Sequence, residues 1–317
     1  MEGANAVGVA GVPASALNRI DLSSPDIRHS VALLKQACLD SGFFYVINHG
    51  IGQDLMEEVF VQSRRFFGLP LSEKMKLLRN KNYRGYTPLF DEVLDAGNQI
   101  RGDYKEGFYL GVEVPEDDPD AQRPHFGPNL WPSEDILPRW RQTMEKFHSQ
   151  ALNVAKALAR IIALALDLEA DYFDRPEILG KPIPVLRLLH YEGLISDPSK
   201  GIYGAGAHSD FGFITLLATD DVPGLQICKN KDAKPQTWEY VQPLKGSTLH
   251  RVIGNGQERY SIALFLEPNH DCLVECLPTC MSEENPPKFP PILCHTYLAQ
   301  RYGDTHADLD VYRREGA

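Results

Sequence analysis

A chain of 317 residues and 35.5 kDa, 43% of them hydrophobic, holds enough apolar material for one large domain or two ordinary ones. Its net charge of -11 and pI near 5.4 provide no general attraction for phosphate backbones or anionic lipid, which argues against nucleic acid or a membrane surface as a partner. No apolar run reaches the ~20 residues of a spanning helix, and the longest, ALARIIALALDL (157–168), contains Arg160.

Residues 1–17 read as a loose tail, with no basic residue before Arg19 and an acidic Glu2, unlike a secretory or organelle-targeting leader. SSPDIRHSVALLKQACLDSG predicts a helix: Ser and Asp open it, Val31, Leu34, Ala37 and Cys38 recur at helical spacing, and Gly42 stops it. FFYVINHG (43–50) follows as a short strand ending in a turn, then a second helix through Leu55, Val59 and Phe66 that stops at Gly68 and Pro70. In LSEKMKL, Ser72 is the expected N-cap of a short helix. Residues 80–135, rich in Gly, Pro and Asp, have little periodicity and read as a surface wrap.

Trp140, Met144, Phe147, Ala151, Val154, Leu158, Ile161 and Ala165 recur every three or four residues, the stripe of one long helix. Past Pro182 come short β-rich runs, PVLRLLHY, FITLLAT, GLQIC, TWEYVQ, RYSIALFL and CLVECL, which suggest an antiparallel sandwich or barrel. Residues 296–312 read as helical again. The expected division is a mainly helical region over 18–181 and a β-rich catalytic region with a C-terminal helix over 182–317. Six scattered cysteines make no disulfide framework and fit reduced thiols in a cytoplasmic protein. Cys272, Cys276 and Cys280, with His270 before them, lack a usual zinc spacing and read as packed or edge thiols.

GAGAHSDFGFITLL sets His208 and Asp210 two apart at what reads as the start of a strand, so both side chains project from one face. In isolation this could equally be a turn histidine beside a capping Asp. Gly204, Gly206 and Gly212 flank the pair, and His250 in STLHRV offers a second imidazole. Two histidines and one carboxylate make the facial triad of non-haem Fe(II) oxygenases, which leaves coordination positions open, whereas a structural zinc site is closed by four protein ligands. Arg259 and Ser261, also two apart, suit a carboxylate held by a guanidinium fork and a hydroxyl, or else Arg259 is a surface ion-pair partner.

FFYVINHG, LSEKMKL, AHSDFGFITLL, GLQI, STLHRV and RYSIALFLEPN, in this order, resemble the plant iron(II)- and 2-oxoglutarate-dependent dioxygenases, relatives of isopenicillin N synthase, anthocyanidin synthase and the gibberellin oxidases. The resemblance runs from about Leu17 to about Tyr312. It implies an α+β fold: a double-stranded β-helix, or jelly roll, with an N-terminal helical region packed around it. It implies His208, Asp210 and His250 as iron ligands, Arg259 with Ser261 as the 2-oxoglutarate clamp, and Tyr191 as a hydrogen-bonding partner of that co-substrate. It implies Fe(II), 2-oxoglutarate, O2 and ascorbate as reductant, and the oxidation of a small secondary metabolite, commonly by hydroxylation, with release of succinate and CO2. A monomer is expected, with Tyr86, Phe90, Phe108 and Tyr302 around the substrate. His49 is expected as a turn residue and His190 as packing.

The chain departs from the family between VQPLK and STLHRV. Relatives carry roughly 15–20 more residues between the positions of Asp210 and His250, about two strands and a turn. Losing them should open strand edges and uncover apolar core. On this expectation His250 reaches the iron only if TWEYVQPLK swings into the vacated position. An impaired shortened form or pseudoenzyme is therefore the alternative to an active enzyme, and a non-redox jelly-roll binding protein a third possibility.

Overall fold

In the computed structural model, which describes residues 17–228, 230–241 and 250–307, the predicted amphipathic stripe becomes a 26-residue helix that backs the larger of two sheets. The elements run β1 (Arg19–Asp21), α1 (Ile27–Asp40), β2 (Tyr45–Ile47), α2 (Gln53–Phe67), α3 (Leu71–Met75), β3 (Gly85–Thr87), β4 (Glu106–Leu110), α4 (Trp140–Ala165) and α5 (Pro176–Leu179). Then follow β5 (Pro182–Glu192), β6 (Ala205–His208), β7 (Ile214–Thr219), β8 (Leu225–Cys228), β9 (Trp238–Tyr240), β10 (His250–Val252) and β11 (Glu258–Asn269). A two-residue pair, β12 (Leu273–Val274) with β13 (Ile292–Leu293), precedes α6 (Cys294–Thr305).

The large sheet has the order β3-β4-β5-β11-β7 and the small one β6-β10-β8-β9, every pairing antiparallel. Strand alternation divides the side chains between two cores. Leu186 and Leu188 of β5 and Ile262 and Leu264 of β11 pack on the helices, against Phe66, Trp140 and Leu158. Leu189 and Tyr191, one residue out of phase, pack with Ala205, Leu225, Ile227 and Val252 of the small sheet. The same alternation sends Arg259, Ser261, Ala263 and Phe265 of β11 into the space between the sheets. The ring of Phe66 stands 4.7 Å from Phe108 and 5.6 Å from Trp140, and truncating a core aromatic of this kind costs about 3–5 kcal/mol.

Several sequence expectations change here. Residues 80–135 do not merely wrap the surface: β3 and β4 extend the large sheet, and Tyr86 and Phe108 are core residues, not substrate walls. Three to five residues among Gly, Asp and Pro are too few to show a period. Pro70, not Ser72, sits at the start of α3. CLVECL forms only the two residues of β12. Trp238–Tyr240 pairs with β8 in the small sheet and has not swung elsewhere, yet His250 stands beside His208. The remainder of that proposed swing, residues 242–249, lies outside the described residues, as do 1–16 and 308–317.

Candidate metal centre and co-substrate cavity

His208 ends β6, and Asp210 lies two residues on, in the loop before β7 rather than at the start of an apolar strand. Antiparallel pairing places His250 of β10 directly opposite His208. His208 Nδ1 lies 2.8 Å from the carbonyl oxygen of Gly206. That oxygen can only accept, so Nδ1 carries the proton and Nε2 presents a lone pair, the orientation a metal ligand needs. Nε2 of His208 is 3.5 Å and Nε2 of His250 3.9 Å from Asp210 Oδ1, and the three ligand atoms all lie within 4.8 Å of one another. Phe43 meets the His250 ring edge-on with centroids 6.0 Å apart.

Burial opposes charge on Asp210, but the imidazoles of His250 and His208 and the Thr215 hydroxyl hold its carboxyl well below the usual carboxylate range. Burial likewise opposes charge on His208, and the hydrogen bond and charge of Asp210 outweigh it to raise that imidazole. The donor set of two imidazoles and one carboxylate fits Fe(II), and the described residues of this group number three, short of a closed zinc site.

A cavity of about 50 Å³ is lined by all six residues singled out from the sequence: His208, Asp210, His250, Arg259, Ser261 and Tyr191. Arg259 and Ser261 are only 3% and 2% exposed, so a surface ion pair is excluded for Arg259. Its Nε donates to the Val222 carbonyl at 3.2 Å and its guanidinium lies 5.2 Å from the centre of the Tyr191 ring. Its Nη1 is buried with no hydrogen-bond partner among the described residues. A buried, unpaired cationic donor beside a hydroxyl suits an incoming carboxylate.

Sequence reasoning passed over a buried charge cluster at the cavity wall. Arg187 of β5 and Lys105 reach Glu92 Oε2 at 2.9 and 2.7 Å, and Lys105 also pairs with Asp103. Asp103 in turn accepts the Gly206 N–H at 2.9 Å, two residues before His208, and so fixes the end of β6. Burial works against the Glu92 carboxylate, but Arg187 and Lys105 hold its carboxyl well below the ordinary range. The available signal was an arginine in the middle of PVLRLLHY, a run otherwise apolar up to its final His-Tyr.

A second cavity of about 50 Å³ shares His208 and Asp210 and is walled by Glu92, Arg187, Phe211, Glu267 and Tyr302, among others. Of the four expected wall residues only Tyr302 lies there; Phe90 is 39% exposed and outside it. Burial, reinforced by Asp210, pushes Glu267 up to about 8, so it is neutral at pH 7. His190 faces away from the site, stacked on Tyr260 and within 2.8 Å of Glu106 and Glu258. His49 accepts the Ile51 N–H in its turn. A separate group, His270, Asp271 and His295, sits elsewhere with Asp271 engaged by Arg123 at 2.9 Å.

Residues 182–268 match the 2OG-Fe(II) oxygenase superfamily, and residues 13–134 match the N-terminal region of non-haem dioxygenases in morphine synthesis. The chain belongs to the 2OG-Fe(II) oxygenase superfamily. It is similar to kihadalactone A synthase of Citrus sinensis, at 48% identity over 317 positions covering 94% of each chain. Azadirone synthase of Melia azedarach is 48% identical over 311 positions, covering 92% of this chain and 93% of that one. A full-length Neurospora crassa protein, solved in complex with alpha-KG, superposes with a TM-score of 0.75 at 28% identity over 90% of this chain and 96% of its own. These neighbours make the two-sheet core a jelly roll, and the oxygenase a 2-oxoglutarate-dependent dioxygenase that uses Fe(II), O2 and a small-molecule substrate. No helix among the described residues is long and apolar enough to cross a membrane.

Proposed function

We propose that His208, Asp210 and His250 hold the iron, and that Arg259 and Ser261 clamp the distal carboxylate of 2-oxoglutarate beside Tyr191. The observation that carries this is the buried, unpaired Nη1 of Arg259 in the same cavity as the three ligand atoms. When bound, iron and 2-oxoglutarate supply O2 activation and oxidation of a substrate C–H bond, with succinate and CO2 released. The protein's part is orientation. The Gly206 carbonyl fixes the His208 tautomer, and Asp210 stays ionised between two imidazoles. The sheets keep water from the buried clamp, where each charge-assisted hydrogen bond counts for more than in solvent.

The substrate is proposed to be a secondary metabolite of the kind handled by kihadalactone A synthase and azadirone synthase, entering past Phe211 and Tyr302. Ascorbate is the proposed reductant, and a cytoplasmic monomer with a helical region over 18–181 and a catalytic region over 182–317 the proposed form. Substrate-free succinate formation from 2-oxoglutarate with Fe(II) and ascorbate tests the assignment. Turnover by the wild type that collapses in Arg259→Ala is expected; equal rates in both would refute the clamp.

The match to kihadalactone A synthase supports a second reading, that this chain is a shortened form. It extends over 317 positions but takes up 94% of a 317-residue chain, so roughly 19 positions of the relative face gaps here, within the range of about two strands and a turn expected from the motif spacing. The gap falls, on this reading, at the junction before His250. Uncoupled turnover far below that of a version carrying the relative's segment at this junction is then expected; equal turnover would remove the reading.

A further inference from the structure

Among the described residues β7 ends the large sheet: it pairs with β11 on one side and no strand lies on the other. The Asp220 N–H donates to Tyr260 of β11 at 3.1 Å. Backbone groups alternate in direction along a strand, so the N–H and C=O of Thr219 and Leu217 face away from β11. Leu217, with Ile214, Thr215, Leu216 and Ala218, lines an apolar cavity of about 190 Å³. Phe44 and Val46, in and next to β2, form its far wall, Ala151, Val154 and Leu158 of α4 its floor, and Leu217 its near edge. An apolar slot with a sheet edge on one side and a strand on the other has the shape of a missing strand.

The junction between β9 and β10 has little length with which to fill it. Strands β9 and β10 both run antiparallel to β8, hence parallel to each other, and only nine residues, 241–249, join them. A parallel crossover takes a dozen or more residues, and one that also lays a strand in the opposite sheet takes more.

We propose that the slot between β2 and β7 binds an extended apolar peptide strand supplied in trans. This rests on the reading that a strand before His250 is lacking. The chemistry of the slot defines the occupant. Leu217 and Thr219 present main-chain donors and acceptors on one side, so the ligand is extended and pairs through its backbone. The floor and walls are apolar on both faces of the strand position, so its side chains form a continuous uncharged run of β-branched residues, as in strands buried on both faces. An unfilled edge of this kind is also the place where such a chain aggregates.

The probe is a labelled synthetic peptide of seven Val, Ile and Thr residues with two lysines at each end. Its partner is the same peptide N-methylated at alternate amides, which keeps the side chains and removes the donors. Fluorescence anisotropy with the full chain is expected to show saturable 1:1 binding, at least about tenfold tighter than the N-methylated peptide, as the loss of several backbone hydrogen bonds requires. At one hundred times its Kd the peptide should raise the unfolding midpoint by about 5 °C. Leu217→Pro, which deletes an N–H on the slot side and spares the ladder to β11, and Ala151→Trp, which fills the floor, should each weaken binding about tenfold or more. No saturable binding, or equal binding of the two peptides, would overturn the proposal.

Hydrogen exchange of the peptide-free protein separates the proposal from the reading beneath it. Fast exchange at Leu217 and Thr219 that peptide fails to slow would sink the proposal alone. Slow exchange at both amides before any peptide is added would mean that the strand position is already occupied, and would sink both.

Discussion

His208 and His250 stand directly opposite each other on antiparallel strands, with ring centroids 4.2 Å apart, although 41 residues of chain separate them. This register pair places both Nε2 atoms on Asp210 Oδ1. On its other side β10 is held by β8, which also pairs with Trp238–Tyr240.

The co-substrate clamp has a graded prediction. Arg259→Ala removes the buried cation, and a hydrogen bond to a charged group is worth roughly 1.5–3 kcal/mol, so the KM for 2-oxoglutarate should rise about 10- to 100-fold. Ser261→Ala removes a neutral donor and should raise it severalfold. Initial rates of succinate formation over a range of 2-oxoglutarate check both, and an unchanged KM in Arg259→Ala would contradict the assignment.

Glu267 gives the metal-free protein a pH dependence whose sign follows from burial. Its carboxyl titrates near 8 in the folded chain against an ordinary 4.5, so between these values the folded state keeps a proton that the unfolded state has released. The stabilisation is complete below about 4.5 and is lost as pH rises through about 8, on the order of a few kcal/mol in all. Glu267→Gln should flatten the fall in unfolding midpoint between pH 6 and 8.5 and exceed the wild type at the upper end.

The Glu92–Arg187–Lys105 cluster is buried, and removing one member leaves charge without a partner. Glu92→Gln should cost about 3–5 kcal/mol in denaturant titration. The exposed Lys35–Asp167 pair is the control: Lys35→Ala should leave the transition where it is. Equal effects of the two substitutions would contradict the burial argument.

What was legible in the sequence was what local spacing decides. His-x-Asp and Arg-x-Ser each put two groups on one side of the chain, and Arg259 and Ser261 duly share the inner face of β11. The stripe of α4 was readable for the same reason. The partnership of Arg187 with Glu92 and Lys105 was not, because it joins β5 to a loop near residue 92 and to the approach of β4, and no local period records that. Tyr86 and Phe108 looked like pocket aromatics, but they sit on β3 and β4, whose brevity hid the pairing that buries them. The apolar slot beside β7 was not legible either, because it required the sheet order.

The central claim is that these three side chains form one metal site in this chain, and anaerobic titration with Co(II) as an Fe(II) surrogate tests it most directly. Wild type should bind one equivalent, at least about tenfold more tightly than His250→Ala, since a site designed around three ligands loses one. Equal affinity of wild type and His250→Ala would show that His250 is not a ligand, and would contradict the account.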